Sequence, residues 1–328
     1  MAHTFALLGF DPHQPLAAFT RSSELIYLPY LLPGLIIIAI AGLRRKASLR
    51  TLSSPSTRRS LRNDAAMFIL NGALLFHILA AGIVAAPIAL WVRDHLRPII
   101  GAHELLHGLP AQVLLTIALT LTIDFSFFAA HVLQHRVPVL WCFHKVHHSA
   151  PVMTPLTAYR SHPVDDIVEG IVVSLLLGVC DGVLLLVFDP TVSVLTIAGT
   201  NAVFTIGFAA LANLRHSHTW ISWGDRFERV FCSPAQHQIH HSTDPSHHDR
   251  NFGGLLSLWD WLFGTLITAR TRQQITFGLG ADSDRYHTVR DMYFEPVREA
   301  GERWIAPRLR KPPETTEAPV ASDELVHA

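Results

Sequence analysis

Five apolar stretches, each near the length that crosses a bilayer, set the pattern of the chain. Residues 25–43 (LIYLPYLLPGLIIIAIAGL) come first, and residues 65–91 follow, interrupted by Asn71, His77 and Pro87. Residues 111–130 form the third stretch. Residues 167–188 and 191–211 form the last two, separated only by Asp189-Pro190. A hydrocarbon core of about 30 Å takes about 20 helical residues. The pattern therefore predicts an all-α integral membrane protein of about five spans, or of four plus a re-entrant hairpin. Pro29 and Pro33 fall inside the first stretch, which a membrane helix tolerates. The polar segments between 131 and 166 and between 212 and 303 are expected to meet as a helical cap.

Charge orients this arrangement. Arg44, Arg45, Lys46, Arg50, Arg58, Arg59 and Arg62 crowd the polar stretch after the first span. By the positive-inside rule that stretch is cytoplasmic. Residues 92–109, read as a loop, then lie outside. The hairpin over 167–211 leaves and returns to the same side, so the cap is cytoplasmic as well. The opening MAHTFALLGFDPHQP lacks a charged segment followed by an apolar one, so no cleavable signal is expected. Residues 1–24 read as an N-terminal segment, 25–109 as two spans with their loops, and 110–303 as a catalytic domain. Residues 304–328, rich in Pro, Glu, Thr and Ala, read as a disordered tail.

Composition agrees with a membrane protein. The 328 residues are 49% hydrophobic and 16% charged, against roughly 25% charged in soluble domains. The net charge is zero, so no basic field argues for a nucleic-acid partner. Cys142, Cys180 and Cys232 are far apart and read as buried small hydrophobes rather than as a disulfide framework or a thiolate metal site. LSLWDWLFGTL, residues 256–266, fits equally a headgroup-level anchor and aromatic packing of the cap.

Histidine carries the chemistry. Of 21 histidines, 13 lie between residues 131 and 248. HVLQH offers His131 and His135. HKVHH offers His144, His147 and His148, and HQIHH repeats the arrangement with His237, His240 and His241. Spacings of three and four share a helix face, whereas adjacent residues diverge by about 100°. One box can thus serve one metal and send a neighbouring ring to a second. Between the boxes, RHSHT holds His216 and His218. His3, His13, His77, His95, His287 and His327 stand alone and read as packing or surface residues. Nine boxed histidines exceed what one ion takes, so two ions with four or five nitrogens each are expected. Nitrogen ligation without thiolates suits an oxygen-activating iron pair. Asp124, inside the third span, costs about 2.5–3.5 kcal/mol to insert there. It is read either as an acceptor behind a ligating imidazole or as a polar contact between helices.

These boxes, together with HTWISWGDRFERVFCSPAQHQIHHS and DRNFGGLLSLWDWLFGT, resemble the membrane fatty acid hydroxylase and sterol desaturase superfamily, over roughly residues 110–270. The later region is similar to its alkylglycerol monooxygenase-like and bacterial sterol-desaturase-like members. The resemblance implies a di-iron, O2-dependent oxidoreductase that hydroxylates or desaturates a lipid or sterol-like substrate. It implies His131, His135, His144, His147, His148, His237, His240 and His241 as ligands, with His218 as the ligand before the last box. His216 is an extra candidate at nearly the same place, as a metal ligand or a supporting contact. His162 and His247 are candidates for supporting or substrate contacts. Two iron ions are the implied cofactors, with zinc able to enter the site on overproduction. The implied partners are a lipid and a separate electron donor of cytochrome b5, ferredoxin or reductase type. The implied location is a bacterial inner membrane, or the endoplasmic reticulum of a eukaryote.

Two other classes are open to the sequence. HELLH, residues 103–107, matches the HExxH of zinc hydrolases, with Glu104 as general base. It sits in a short segment between Pro98 and Gly108, on the side opposite the boxes. A metal transporter or sensor would place its ligands near the bilayer midplane, whereas these clusters follow the span ends.

Overall fold

The computed structural model describes residues 54–71, 85–101, 106–189, 191–197, 200–207 and 213–305. The first expected span, 25–43, and the tail beyond 305 lie outside the described residues, as do residues 72–84 of the second. What is described is mostly helical: α1 (Pro55–Leu70), α2 (Ala85–Ile100), α3 (Gly108–Arg136), α4 (Pro138–His148), α5 (Pro163–Val187), α6 (Ala202–Gly207), α7 (Pro234–His240), α8 (Leu258–Phe263) and α9 (Val289–Ala300).

Among these, α3 and α5 are long and apolar enough to cross a membrane. Their side-chain pattern explains their packing. Polar Thr116, Thr120, Asp124 and Ser126 of α3 are buried, while Val113, Leu114 and Ile117 are exposed. On α5, Ile171, Leu175, Val179 and Val183 form an exposed stripe with a spacing of four. A buried face of small or polar residues and an outer face of aliphatics is what a lipid-facing helix requires.

Helix α5 also meets α2 through glycine. A Cβ added at Gly178 would lie 2.7 Å from the Ala85 carbonyl oxygen, and one at Gly182 would lie 2.6 Å from that of Ala89. The backbones therefore approach as in a small-xxx-small crossing.

Three expectations are corrected. Residues 191–211 do not form a spanning helix. Residues 192–195 are irregular, β1 (Thr196–Ile197) pairs antiparallel with β2 (Thr200–Asn201), and the short α6 follows. The stretch TVSVLTIAGT is rich in β-branched residues, which favour extended backbone over helix. Leu195 N donates to Thr116 Oγ1 at 2.8 Å, which holds this segment against the first half of α3. Residues 92–109 are not simply a loop either, since α2 runs on to Ile100 with Pro98 inside it. Arg58, Arg59 and Arg62, read as part of a loop, lie on α1.

The cap is tied together by buried charge. Arg160, 1% exposed, donates to Asp64 Oδ1 of α1 at 2.6 Å, to Ser60 Oγ at 2.5 Å and to Ser149 Oγ at 3.1 Å. Burial raises the Asp64 carboxyl above its usual range, and Arg160 opposes that. Lys145, inside the first HxxHH box, donates to both Glu299 oxygens of α9 at 2.7 and 2.9 Å. Tyr293 of α9 donates to Asn71 Oδ1, and Asn71 donates to the Ser161 carbonyl. Helix α9 thus packs over α4.

Two stability predictions follow from these contacts. Gly182→Leu forces its side chain into the α2 backbone and lowers the thermal midpoint in detergent, at a cost of about 1–3 kcal/mol. An unchanged midpoint would contradict the close crossing. Glu299→Ala leaves Lys145 buried and unpaired, costing about 3–5 kcal/mol. A denaturation curve matching the parent would show that the pair is not buried.

Candidate metal centre

Helix α3 delivers the first two imidazoles in its last turns. His131 and His135 are four residues apart and share one face. Val137 is extended, and Pro138 starts α4 at its first position, where its missing N–H costs nothing. The chain therefore turns sharply after one residue. That bend brings the His131 and His144 rings to 5.0 Å and the His135 and His148 rings to 4.8 Å between centroids. Further along, Ser233 and Gln236 form a reciprocal capping box around Pro234, which starts α7 at a defined position. His240 then reaches 4.5 Å from His131, and His241 stacks 4.3 Å from His148.

The nine rings divide into two sets. His131, His135, His144, His148 and His240 present one nitrogen each within 4.8 Å of one another, and so do His147, His216, His237 and His241. The division follows helical geometry. His144 and His148, four apart, face the first set, and His147 points to the second. His237 and His241, again four apart, face the second set, and His240 points to the first. In the first set all five Nε2 atoms are buried without a hydrogen-bond partner. In the second, His147 to His216, His216 to His237 and His237 to His241 have Nε2 separations of 3.1, 2.9 and 3.2 Å. Two nitrogens at about 2.0–2.1 Å from one ion would be about this far apart. Burial holds the His144 imidazole down to about 3. Burial, then neighbouring imidazoles, push His147, His148, His237 and His241 well below the usual range. Neutral imidazole is the form that ligates a metal. Buried lone pairs converging in two groups fit a pair of nitrogen-loving cations.

A loop after α7 fixes the rings from behind. Phe252 O accepts from His131 Nδ1 at 2.8 Å, and Arg250 O accepts from His240 Nδ1 at 2.7 Å. Each contact sets the tautomer that leaves Nε2 unprotonated, with its lone pair free to ligate. Asp249 Oδ1 lies 3.8 Å from His135 Nδ1, and Asp165 Oδ2 lies 3.7 Å from His144 Nδ1. Asp249 and Asn251 adopt positive φ of 57° and 55°, a conformation that Asp and Asn tolerate best after Gly. Asn251 spans from Gln236 O to the Ile267 backbone, and Asp260 accepts from the N–H groups of Phe252 and Gly253. Gln238 donates to the carbonyls of Ser217 and Thr219, which holds the His216 segment against α7.

Residues 116–265 match the fatty acid hydroxylase family model. This segment is a fatty acid hydroxylase domain. The chain is 23% identical over 175 residues to alkylglycerol monooxygenase of Caenorhabditis elegans, covering 51% of this chain and 30% of that protein. It is 28% identical over 185 residues to a very-long-chain aldehyde decarbonylase of Oryza sativa subsp. japonica, covering 53% and 26%. It is 28% identical over 145 residues to an ornithine lipid hydroxylase of Rhizobium tropici, covering 43% and 38%. The chain thus spans about a third of the length of these relatives. No solved structure matches it.

Within the hydroxylase domain, eight of the nine expected ligands fall in the two sets, and the ninth does not. His218 belongs to neither, and His216 takes its place. Gln238 grips the backbone on both sides of His218, at Ser217 and Thr219, and this register turns His216 inward. His162 is also outside the sets. Its Nδ1 accepts from Val164 N and its Nε2 meets Tyr293 O, so it caps α5. His247 lies in a 3-10 turn outside both sets. Asp124 does not face an imidazole. It accepts from Leu255 N, Leu256 N and Trp259 Nε1, tying the loop that carries Phe252 onto α3. Asp165, Asp249 and the two loop carbonyls were not singled out from sequence. The positive-φ Asp and Asn in DRNFGG were the available signal for the loop. Most of HELLH lies outside the described residues. Its His107 is exposed and pairs with Asp189 at the start of α3, a helix-length from the boxes.

A cavity of about 460 Å³ reaches the first set from the cap side, lined among others by His135, Trp141, His148, His240 and Asp249. The sets also make a sharp mutational contrast. His216→Ala should strip the metal of the second set and leave that of the first, whereas His218→Ala should keep both. Metal analysis of the purified variants checks this; equal loss in both would put His218 back among the ligands.

Proposed function

We propose that the chain is a membrane di-iron monooxygenase that inserts one oxygen atom from O2 into a C–H bond of a membrane lipid. One observation carries the reading: two adjoining, buried groups of imidazole nitrogens, five and four, at the end of a helix suited to crossing a bilayer. An iron pair held there would supply O2 reduction and the oxidising power for an unactivated C–H bond.

The protein's own groups have three tasks. The carbonyls of Phe252 and Arg250 orient the imidazoles of His131 and His240, while Asp165 and Asp249 stand 3.7 and 3.8 Å behind His144 and His135. The Phe252 ring, 1% exposed, packs 5.5 Å from His131, 5.1 Å from His135 and 5.7 Å from His240. It covers the first set on one side, which limits the access of water there. The apolar ends of α3 and α5 offer a lipid chain a path in the membrane plane, while its headgroup stays at the polar cap.

The relatives named monooxygenase and hydroxylase favour hydroxylation over desaturation. Electrons come from a separate donor protein. The histidine cap is cytoplasmic, in a multi-pass protein of a bacterial inner membrane or of the endoplasmic reticulum. A transporter does not suit ligands clustered at a helix end, and a zinc hydrolase does not suit an exposed His107.

Lipid mass spectrometry of cells with and without the gene tests the reaction. One lipid class should gain a single oxygen only when the gene is present. A loss of two hydrogens would instead indicate desaturation, and an unchanged lipid profile would overturn the proposal.

A further inference from the structure

The hydroxylase domain exposes a second apolar surface, beside the cap-side half of α3. Phe227 is 64% exposed, Leu262 59% and Phe263 62%, and Val230, Phe231 and Trp261 are exposed beside them. Two segments build it. Residues 227–231 are pinned to the start of α8 by the Phe231–Leu256 bridge, by Ser257 N donating to Val230 O at 3.0 Å, and by Ser257 Oγ donating to Glu228 O at 2.7 Å. Glu228 is fully buried beneath them and accepts from Ser222, Trp223, Ser233 and Ala269. The surface is therefore held rigidly outward by its own polar underside. Its aromatic rings are not drawn into a core.

Its height on the spanning helix identifies what covers it. Phe263 packs 6.3 Å from Phe125 and 5.5 Å from Phe128, and Trp259 packs 5.0 Å from Phe125. Helix α3 has 29 residues, about 43 Å at 1.5 Å per residue. A hydrocarbon core of about 30 Å consumes about 20 of them. Counted from Gly108, that core ends near residues 125–128, one turn before His131. The exposed α8 residues sit against this last turn, at the boundary between acyl chains and headgroups. Arg226 and Arg229 are exposed at the edge of the patch, and Arg270 pairs with Asp225 at 2.6 Å beside them. Aromatic and aliphatic side chains rimmed by arginine match a bilayer surface carrying anionic lipid.

We infer that residues 227–231 and 261–263 form an in-plane membrane anchor that dips into the same leaflet as the cap-side end of α3. The anchor fixes the tilt of the cap and holds the first histidine set at a constant height above the acyl chains. A second copy of this chain is not the better occupant, because the patch continues directly onto the lipid-facing flank of α3. The inference rests on the membrane reading above but not on the reaction.

Spin labels on the full chain in nanodiscs of phosphatidylcholine with phosphatidylglycerol test it. Leu262→Cys and Phe227→Cys probe the patch, Ile117→Cys marks mid-span lipid, and Asp284→Cys, at a side chain 89% exposed, marks water. The unsubstituted protein gives the background from Cys142, Cys180 and Cys232. The expected result is oxygen access at 262 and 227 approaching that at 117, with access of a water-soluble nickel chelate several-fold below that at 284. Chelate access at 262 and 227 equal to that at 284, with 117 still in lipid, overturns the anchor alone. Labels at 262 and 227 shielded from both relaxants would assign the surface to a protein partner and also overturn it. A water-exposed label at 117 would overturn the membrane reading and the anchor together.

Discussion

Nine imidazoles packed as two adjoining sets, their converging nitrogens shielded in the protein, constrain everything else in this fold. Buried polar atoms without partners are costly, and here five Nε2 atoms in one set have none in the protein. Such an arrangement needs strong support around it. The surroundings supply it in three layers: a proline-sharpened bend between α3 and α4, a capping box that starts α7, and a loop with left-handed Asp249 and Asn251 whose carbonyls hold the rings from behind. Outside these, the buried Lys145–Glu299 and Arg160–Asp64 pairs clamp α9 and α1 over the boxes.

The same constraint explains where the centre lies. It sits at the end of α3, where apolar helix gives way to polar cap. Water must be excluded there without the polar supports losing their hydrogen bonds. Phe252 covers the first set on one side, and Asp124 ties the loop bearing Phe252 back onto the spanning helix. An acid inside an apolar helix thereby pins α3 to the cap. It accepts from two backbone N–H groups and an indole rather than from a histidine.

Much of this was legible in the chain. The i, i+3, i+4 spacing of HKVHH and HQIHH already implies that each box divides its rings between two centres, and the structure divides them so. The long apolar runs over 111–130 and 167–188 are helices. The rest depended on contacts distant in sequence. Whether His216 or His218 turns inward is decided by Gln238, twenty residues away, gripping the backbone on both sides of His218. The failure of 191–211 as a span reflects β-branched residues whose apolar character suits strand as well as helix; hydropathy alone does not separate the two. Asp165 and Asp249 looked like ordinary helix-start and loop acids until the fold placed them behind His144 and His135.

Iron-edge X-ray absorption on the purified full chain, with iron counted on the same sample, tests the central claim most directly. The account predicts two irons per chain with a first shell dominated by imidazole nitrogen and an iron neighbour in the outer shells. A single ion per chain, or a first shell of sulfur or mainly carboxylate oxygen, would contradict it.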